Sequence, residues 1–182
     1  MAVKTFTTGE VLTASDTNTY LNNGGLVYVT SQTVGTAVSS VTISNCFSST
    51  YDNYRIVWSG GYGSVSVGVC LRVGGSATNY SHVLLWASVG GVVANCDSSA
   101  NTSQCNYLGG ATSNSGTLVC DILNPFISTL YTGFAGGSYI ASDFGVCVGR
   151  HNIAQSNTSV TVLPLSGTIT GGSITVYGYR KA

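Results

Sequence analysis

The sequence predicts an all-β protein, an antiparallel β-sandwich or jelly roll preceded by a short N-terminal helix, and three observations lead there. Apolar residues alternate with small or polar ones in many short runs from Leu26 onward, the period of half-buried strands. Glycine-rich punctuation separates the runs, as in GGSATN from Gly74 and the pair at Gly136 and Gly137. No helical pattern falls between them, which disfavours any α/β arrangement.

The elements follow in order. The segment LTASDTNTYLNNGG, from Leu12, is the helix candidate: Thr13 caps it, Asp16 stands three residues later as a capping-box partner, and Gly24 or Gly25 ends it. Its apolar residues Leu12, Tyr20 and Leu21 are too few for a wide buried stripe, so such a helix gains its stability from another surface. The clearest strand is SVSVGVCLRV, with Val65, Val67, Val69, Leu71 and Val73 on one face and Ser66, Gly68, Cys70 and Arg72 on the other. A second has Phe144, Val146 and Val148 alternating with Gly145, Cys147 and Gly149. Further strands are expected at Val41 to Cys46, Tyr54 to Trp58, Leu118 to Leu123, Val160 to Leu163 and Ile174 to Tyr179. The expected division is 1–25 as an anchoring or oligomerising segment and 26–182 as one β-domain. No internal repeat is evident.

Composition narrows the function. Of the 182 residues, 43% are hydrophobic and only 7% charged, against about 25% charged in ordinary soluble domains. Six basic and six acidic side chains balance to zero, and the cations are scattered, so no phosphate-binding patch forms and nucleic acid is not an expected partner. A domain near neutrality tends to self-associate, which points to a surface covered by sister subunits or rich in neutral polar groups. MAVKTFTTGEVL carries no apolar core of the kind a secretory signal needs. Val83 to Ala94, the longest mostly apolar stretch, is too short to span a bilayer at about 20 residues. No membrane partner is expected.

Catalytic chemistry has little to draw on. Two histidines, His82 and His151, and six carboxylates are spread without a motif. Cys147 and His151 share a metal-like spacing with no second ligand cluster, and no G-x-S-x-G elbow is present. The expectation is no enzyme, no catalytic residues, no metal and no cofactor. A carbohydrate-degrading enzyme would need Asp97, Asp121 or Asp143 to converge. The six cysteines read as free, buried thiols acting as small core hydrophobes, with a disulfide framework as the alternative. Three sequons, at Asn79, Asn101 and Asn157, arise readily by chance in a chain this rich in Asn, Ser and Thr. In the cluster from Tyr51 to Arg55, Asp52 and Asn53 suit a turn, and Arg55 is placed to pair with Asp52 or stack on a tyrosine.

Eleven tyrosines amid abundant Ser, Gly and Asn match the residue types of recognition surfaces, where tyrosine supplies area and one hydroxyl at small entropic cost. Exposed loops around Asn79, Tyr80, Asn101, Asn106, Tyr107, Tyr131 and Tyr139 are the expected recognition tip.

Three stretches, FTTGEVLTASDTNTYLNN from Phe6, CFSSTYDNYRIV from Cys46 and GGSITVYGYRKA from Gly171, resemble small virion structural proteins of tailed bacteriophages, a group of tail fibre and minor tail proteins. The resemblance covers both ends and the first third of the chain, and not Gly74 to Gly137. It implies an N-terminal segment that anchors or oligomerises through Phe6, Val11, Leu12, Tyr20 and Leu21. It also implies a β-domain displayed on the virion as a homotrimer after synthesis in the host cytoplasm. The implied function is a tail-associated fibre or receptor-binding subunit with other virion proteins and a host surface glycan or protein as partners. The alternative is a trimeric head decoration, cement or head-fibre protein stabilising the capsid.

Overall fold

A computed structural model describes residues 7–16, 25–91 and 93–181. The described residues are nearly all β, and the pairing throughout is antiparallel. Among the described residues, helix is confined to α1, Ala14–Asp16. Its start follows the expected capping box: the Asp16 amide donates to Thr13 Oγ1 at 3.1 Å, and the Thr13 amide donates back to the Asp16 carboxylate at 3.2 Å. Tyr20 and Leu21, like Phe6, lie outside the described residues.

Among the described residues, thirteen strands form one sheet that folds over into two layers. The larger layer runs β6 (Asn95–Thr102), β5 (Tyr80–Ser88), β10 (Asp143–His151), β9 (Thr132–Ile140), β8 (Ser115–Leu123), β3 (Asn53–Gly63), β13 (Ser173–Tyr179) and β1 (Leu26–Thr33). The smaller runs β2 (Val41–Ile43), β11 (Val160–Pro164), β4 (Val67–Val73) and β7 (Cys105–Thr112), while β12 (Ile169–Thr170) pairs with the end of β3. The layers join at β8. One edge of β8 pairs with β3 along its length, and the other serves β7 through Ser115–Leu118 and β9 through Cys120–Leu123. All-β layering of this kind is what the period-two pattern predicts; the strand order required the structure.

The core lies between the layers. Tyr54, Ile56 and Trp58 of β3, Leu118, Cys120 and Ile122 of β8, and Ile174 and Val176 of β13 face Val69, Leu71 and Val73 of β4 and Val160 and Val162 of β11, and each is at most 1% exposed. Alternation along each strand puts these residues on one face. Trp58 also donates its indole N–H to the Gly171 carbonyl at 3.2 Å, so its one polar atom is satisfied on burial.

Several expectations change. Gly136 and Gly137 are not punctuation but lie inside β9. The reason is proximity: a Cβ on Gly136 would stand 2.8 Å from the Leu108 carbonyl oxygen of β7, and Gly110 of β7 sits against the Tyr139 backbone of β9. The two strands diverge from β8 so closely that only glycine fits. Phe144, Val146 and Val148 alternate as predicted but face outward, at 48%, 62% and 56% exposure, while Cys147 is buried. Val65 precedes β4 and is exposed. Arg55 pairs with Asp121, not Asp52, and lies over the Tyr179 ring, 5.6 Å from its centre, as the tyrosine-stacking alternative expected; Asp52 instead meets Lys181 at 2.7 Å. No described helix is long and apolar enough to cross a membrane.

Candidate functional site

β5 carries the sequence YSHVLLWAS. Alternation puts Tyr80, His82, Leu84 and Trp86 on the inner face; the first three are buried, and Trp86 is half-buried against the core. Register with β6 brings Asp97 beside Leu84, and register with β10 brings Asp143 beside Ser88. The fourth contributor is Tyr107. Between the pairs Val69↔Gly109 and Leu71↔Cys105 the β4–β7 ladder slips, and within that bulge Tyr107 adopts a left-handed backbone, φ 62°. A bulge re-aims a side chain, and a tyrosine with positive φ is held there only by its surroundings. Gly68 makes room, since a Cβ there would stand 2.7 Å from the Tyr107 ring.

These elements enclose a cleft of about 150 Å³ lined by Leu84, Trp86, Asp97, Tyr107, Ser138, Ile140 and Asp143. Ser88 Oγ donates to Asp143 at 2.5 Å and fixes that carboxylate. Beneath Tyr107 the His82 ring meets it edge-on at 5.8 Å. Neither nitrogen of His82 has a hydrogen-bond partner among the described residues, and the Asn106 side-chain oxygen is likewise buried and unpaired. Burial lowers the proton affinity of His82, and the opposing pull of Asp97 does not reverse it; the ring is neutral at pH 7. Two aromatic rings, two carboxylates and the hydroxyls of Tyr107 and Ser138, with no cation, form a lining that stacks on apolar ring faces and accepts hydrogen bonds from hydroxyls.

The predicted recognition residues do not gather into one tip. Tyr80 is a correction: it is fully buried, its hydroxyl accepts from the Val73 amide at 2.9 Å and donates to the Ser76 carbonyl at 3.2 Å, and its ring stacks on His151 at 4.6 Å. A large ring with a satisfied hydroxyl anchors the core better than it serves a surface. Asn79, just before β5, and Asn101, within β6 where its pairing with β5 slips, both have left-handed backbones, φ 64° and 59°. Asn106 and Tyr107 share the bulge, and only Tyr107 lines the cleft. Tyr131 is exposed under the Arg150 guanidinium, 5.2 Å from its ring centre. Tyr139 is exposed on the outer face, edge-on to Phe144. Val11 and Leu12 are exposed, at 79% and 49%. Trp86, Asp97 and Asp143 are the cleft residues the tyrosine count missed, though the alternation of Tyr80, His82, Leu84 and Trp86 was visible in β5.

All six cysteines are free thiols, five of them buried. Burial pushes Cys46 and Cys70 up to about 12, so they stay protonated and inert. Cys147 donates to the Asn106 carbonyl at 3.1 Å, and His151 bonds Ser76; among the described residues no three His, Cys, Asp or Glu converge on a metal position. Asn157 is buried, its amide donating to Thr132, which removes that sequon from reach. Arg55 grips Asp121 with two bonds of 2.7 and 2.8 Å, and Tyr179 donates to the same carboxylate at 2.6 Å. Burial alone would raise Asp121, but these donors outweigh it and hold the carboxyl below its usual range. Of the three aspartates a carbohydrate-degrading enzyme would need, Asp97 and Asp143 share the cleft and Asp121 is committed elsewhere. No known family model matches the chain, and no curated protein matches it.

Proposed function

We propose that the chain is a structural and recognition subunit of a tailed-bacteriophage virion, a tail-associated fibre or receptor-binding protein that works as a homotrimer without catalysis. The resemblance of its three stretches to such proteins supports the setting. The observation that carries the recognition role is the cleft of Trp86, Tyr107, Asp97, Asp143 and Ser138, whose aromatic rings and hydrogen-bond acceptors suit a host surface glycan. The segment before Leu26 serves as the anchor to the particle.

The test is binding of the intact protein to host cells and to polysaccharide extracted from them. Trp86→Ala and Asp97→Asn should each weaken binding at least tenfold while the fold persists by circular dichroism. Binding unchanged in both variants removes the cleft from recognition. Release of new reducing ends from the polysaccharide makes the protein an enzyme and overturns the non-catalytic reading.

One observation favours the head decoration alternative: Val83, Leu85, Tyr139, Phe144, Val146 and Val148 make the outer face of β5, β10 and β9 largely apolar, as suits a protein spread over capsid subunits. Copies per virion separate the two, with hundreds expected for a decoration protein and few for a tail protein.

A further inference from the structure

The cleft of Trp86, Tyr107, Asp97 and Asp143 carries charge of one sign. Its two carboxylates come from β6 and β10, the strands on either side of β5, and no described Lys or Arg lines the cleft or pairs with them. Asp143 takes one bond from Ser88, while the Asp97 carboxylate has no hydrogen-bond partner among the described residues. His82, buried beneath Tyr107, is neutral and offers no compensating charge. Carboxylates set among apolar and aromatic side chains are costly until a positive charge meets them. Ser138 is an independent sign of a ligand. It is 2% exposed and lines the cleft, and its hydroxyl has no partner among the described residues. Buried hydroxyls are ordinarily bonded, so this one is left for what enters.

The kind of cation follows from the rest of the lining. A calcium ion takes about six to eight oxygen ligands, which two carboxylates and a hydroxyl among Leu84, Ile140 and two aromatic rings do not supply. An ammonium group needs less: its N–H donors meet the carboxylates and Ser138, and Trp86 and Tyr107 attract a cation over their ring faces. The volume of about 150 Å³ is that of about five waters at ~30 Å³ each, room for one compact group. We infer that the cleft selects an amino sugar with a free, protonated amine over neutral, N-acetylated and acidic sugars. This rests on the glycan-recognition role proposed for the same cleft and adds the charge of its ligand. A sugar ring brings a rigid apolar face to the aromatic rings together with its amine, whereas the lysine of a protein receptor would lose more rotamer freedom on entry.

Tryptophan fluorescence of the intact protein reads the site, because Trp58 is sealed in the core at 1% exposure and Trp86 borders the cleft. At pH 6, glucosamine should bind at least tenfold more tightly than N-acetylglucosamine, glucose or glucuronic acid. Asp97→Asn and Asp143→Asn should each abolish that preference, and Trp86→Phe should remove the signal. Equal or tighter binding of the N-acetylated, neutral or acidic sugar overturns the inference and leaves the glycan role standing. Tighter binding of trilysine than of glucosamine gives the cleft to a protein and overturns both. A response to calcium alone makes the cleft a metal site and overturns the inference. So does silence toward every probe, while the binding of host polysaccharide decides the glycan role by itself. If the aspartate variants fail to fold, the wild type still decides: treating the host polysaccharide with acetic anhydride, which N-acetylates its amines, should weaken its binding at least tenfold, and unchanged binding overturns the inference.

Discussion

β4 and β10 carry nearly the same alternating valine pattern and meet opposite fates. In β4, Val67, Val69, Leu71 and Val73 point into the core, and Gly68 and Cys70 on the other side are buried too. In β10, Phe144, Val146 and Val148 point to solvent, and the inner face is built of Gly145, Cys147 and Gly149. The difference lies in the spacing of the layers. Opposite β10 the bulged strand β7 comes so close that a Cβ on Gly149 would strike Cys105 Sγ, and Cys147 reaches the Asn106 carbonyl. In the middle of the strand there is room inside only for glycine and a thiol, while Asp143 and His151 at its ends reach the cleft and the core. Alternation tells which residues share a face; it does not tell which face is covered.

The comparison can be broken most severely in β4. Leu71→Ala should cost about 2–5 kcal/mol in urea unfolding, as a fully buried leucine leaves a cavity; a loss below 1 kcal/mol would mean that this face is not the core. Gly136→Val probes the tight spacing behind β10, where the added side chain meets the Leu108 carbonyl, and should destabilise by roughly 1–3 kcal/mol. Little or no change would show the layers able to part.

A weaker effect concerns His82 and His151, both buried with lowered proton affinity, chiefly through burial. The unfolded chain takes up protons near pH 6.5 and the folded chain only at lower pH, so stability is complete above that value and falls as the pH drops below it. The melting temperature should therefore be lower at pH 5 than at pH 7.5, and His82→Leu should flatten that slope. An unaltered slope would assign the effect to His151 or to another group. The smallest change belongs to the outer face of β10: Val146→Ser should alter the unfolding free energy of the isolated chain by within about 0.5 kcal/mol, in contrast to Leu71→Ala.

The fold class was legible because it rests on local chemistry. Period-two alternation marked β3, β4, β8, β10, β11 and β13, and Thr13 with Asp16 marked a helix start that forms its capping box. β6, β7 and β9 were harder to read. Their sequences are dominated by Asn, Ser, Thr and Gly, residues that read as loops until neighbouring strands fix them. The recognition residues were chosen by type, and type alone cannot separate Tyr80, sealed in the core, from Tyr139, on the surface.

The amino-acid sequence by itself determined an all-β chain nearly without charge, because alternation and composition are properties of the chain taken a few residues at a time. Tertiary structure alone decided which side of each strand is inside, because that depends on how closely a distant strand approaches. It also brought Trp86, Tyr107, Asp97 and Asp143, from four strands, to one cleft, and turned the valines of β10 toward solvent. Those placements follow from the branch at β8 and the bulge at Tyr107, where backbone geometry, and not side-chain preference, sets the distance between the layers.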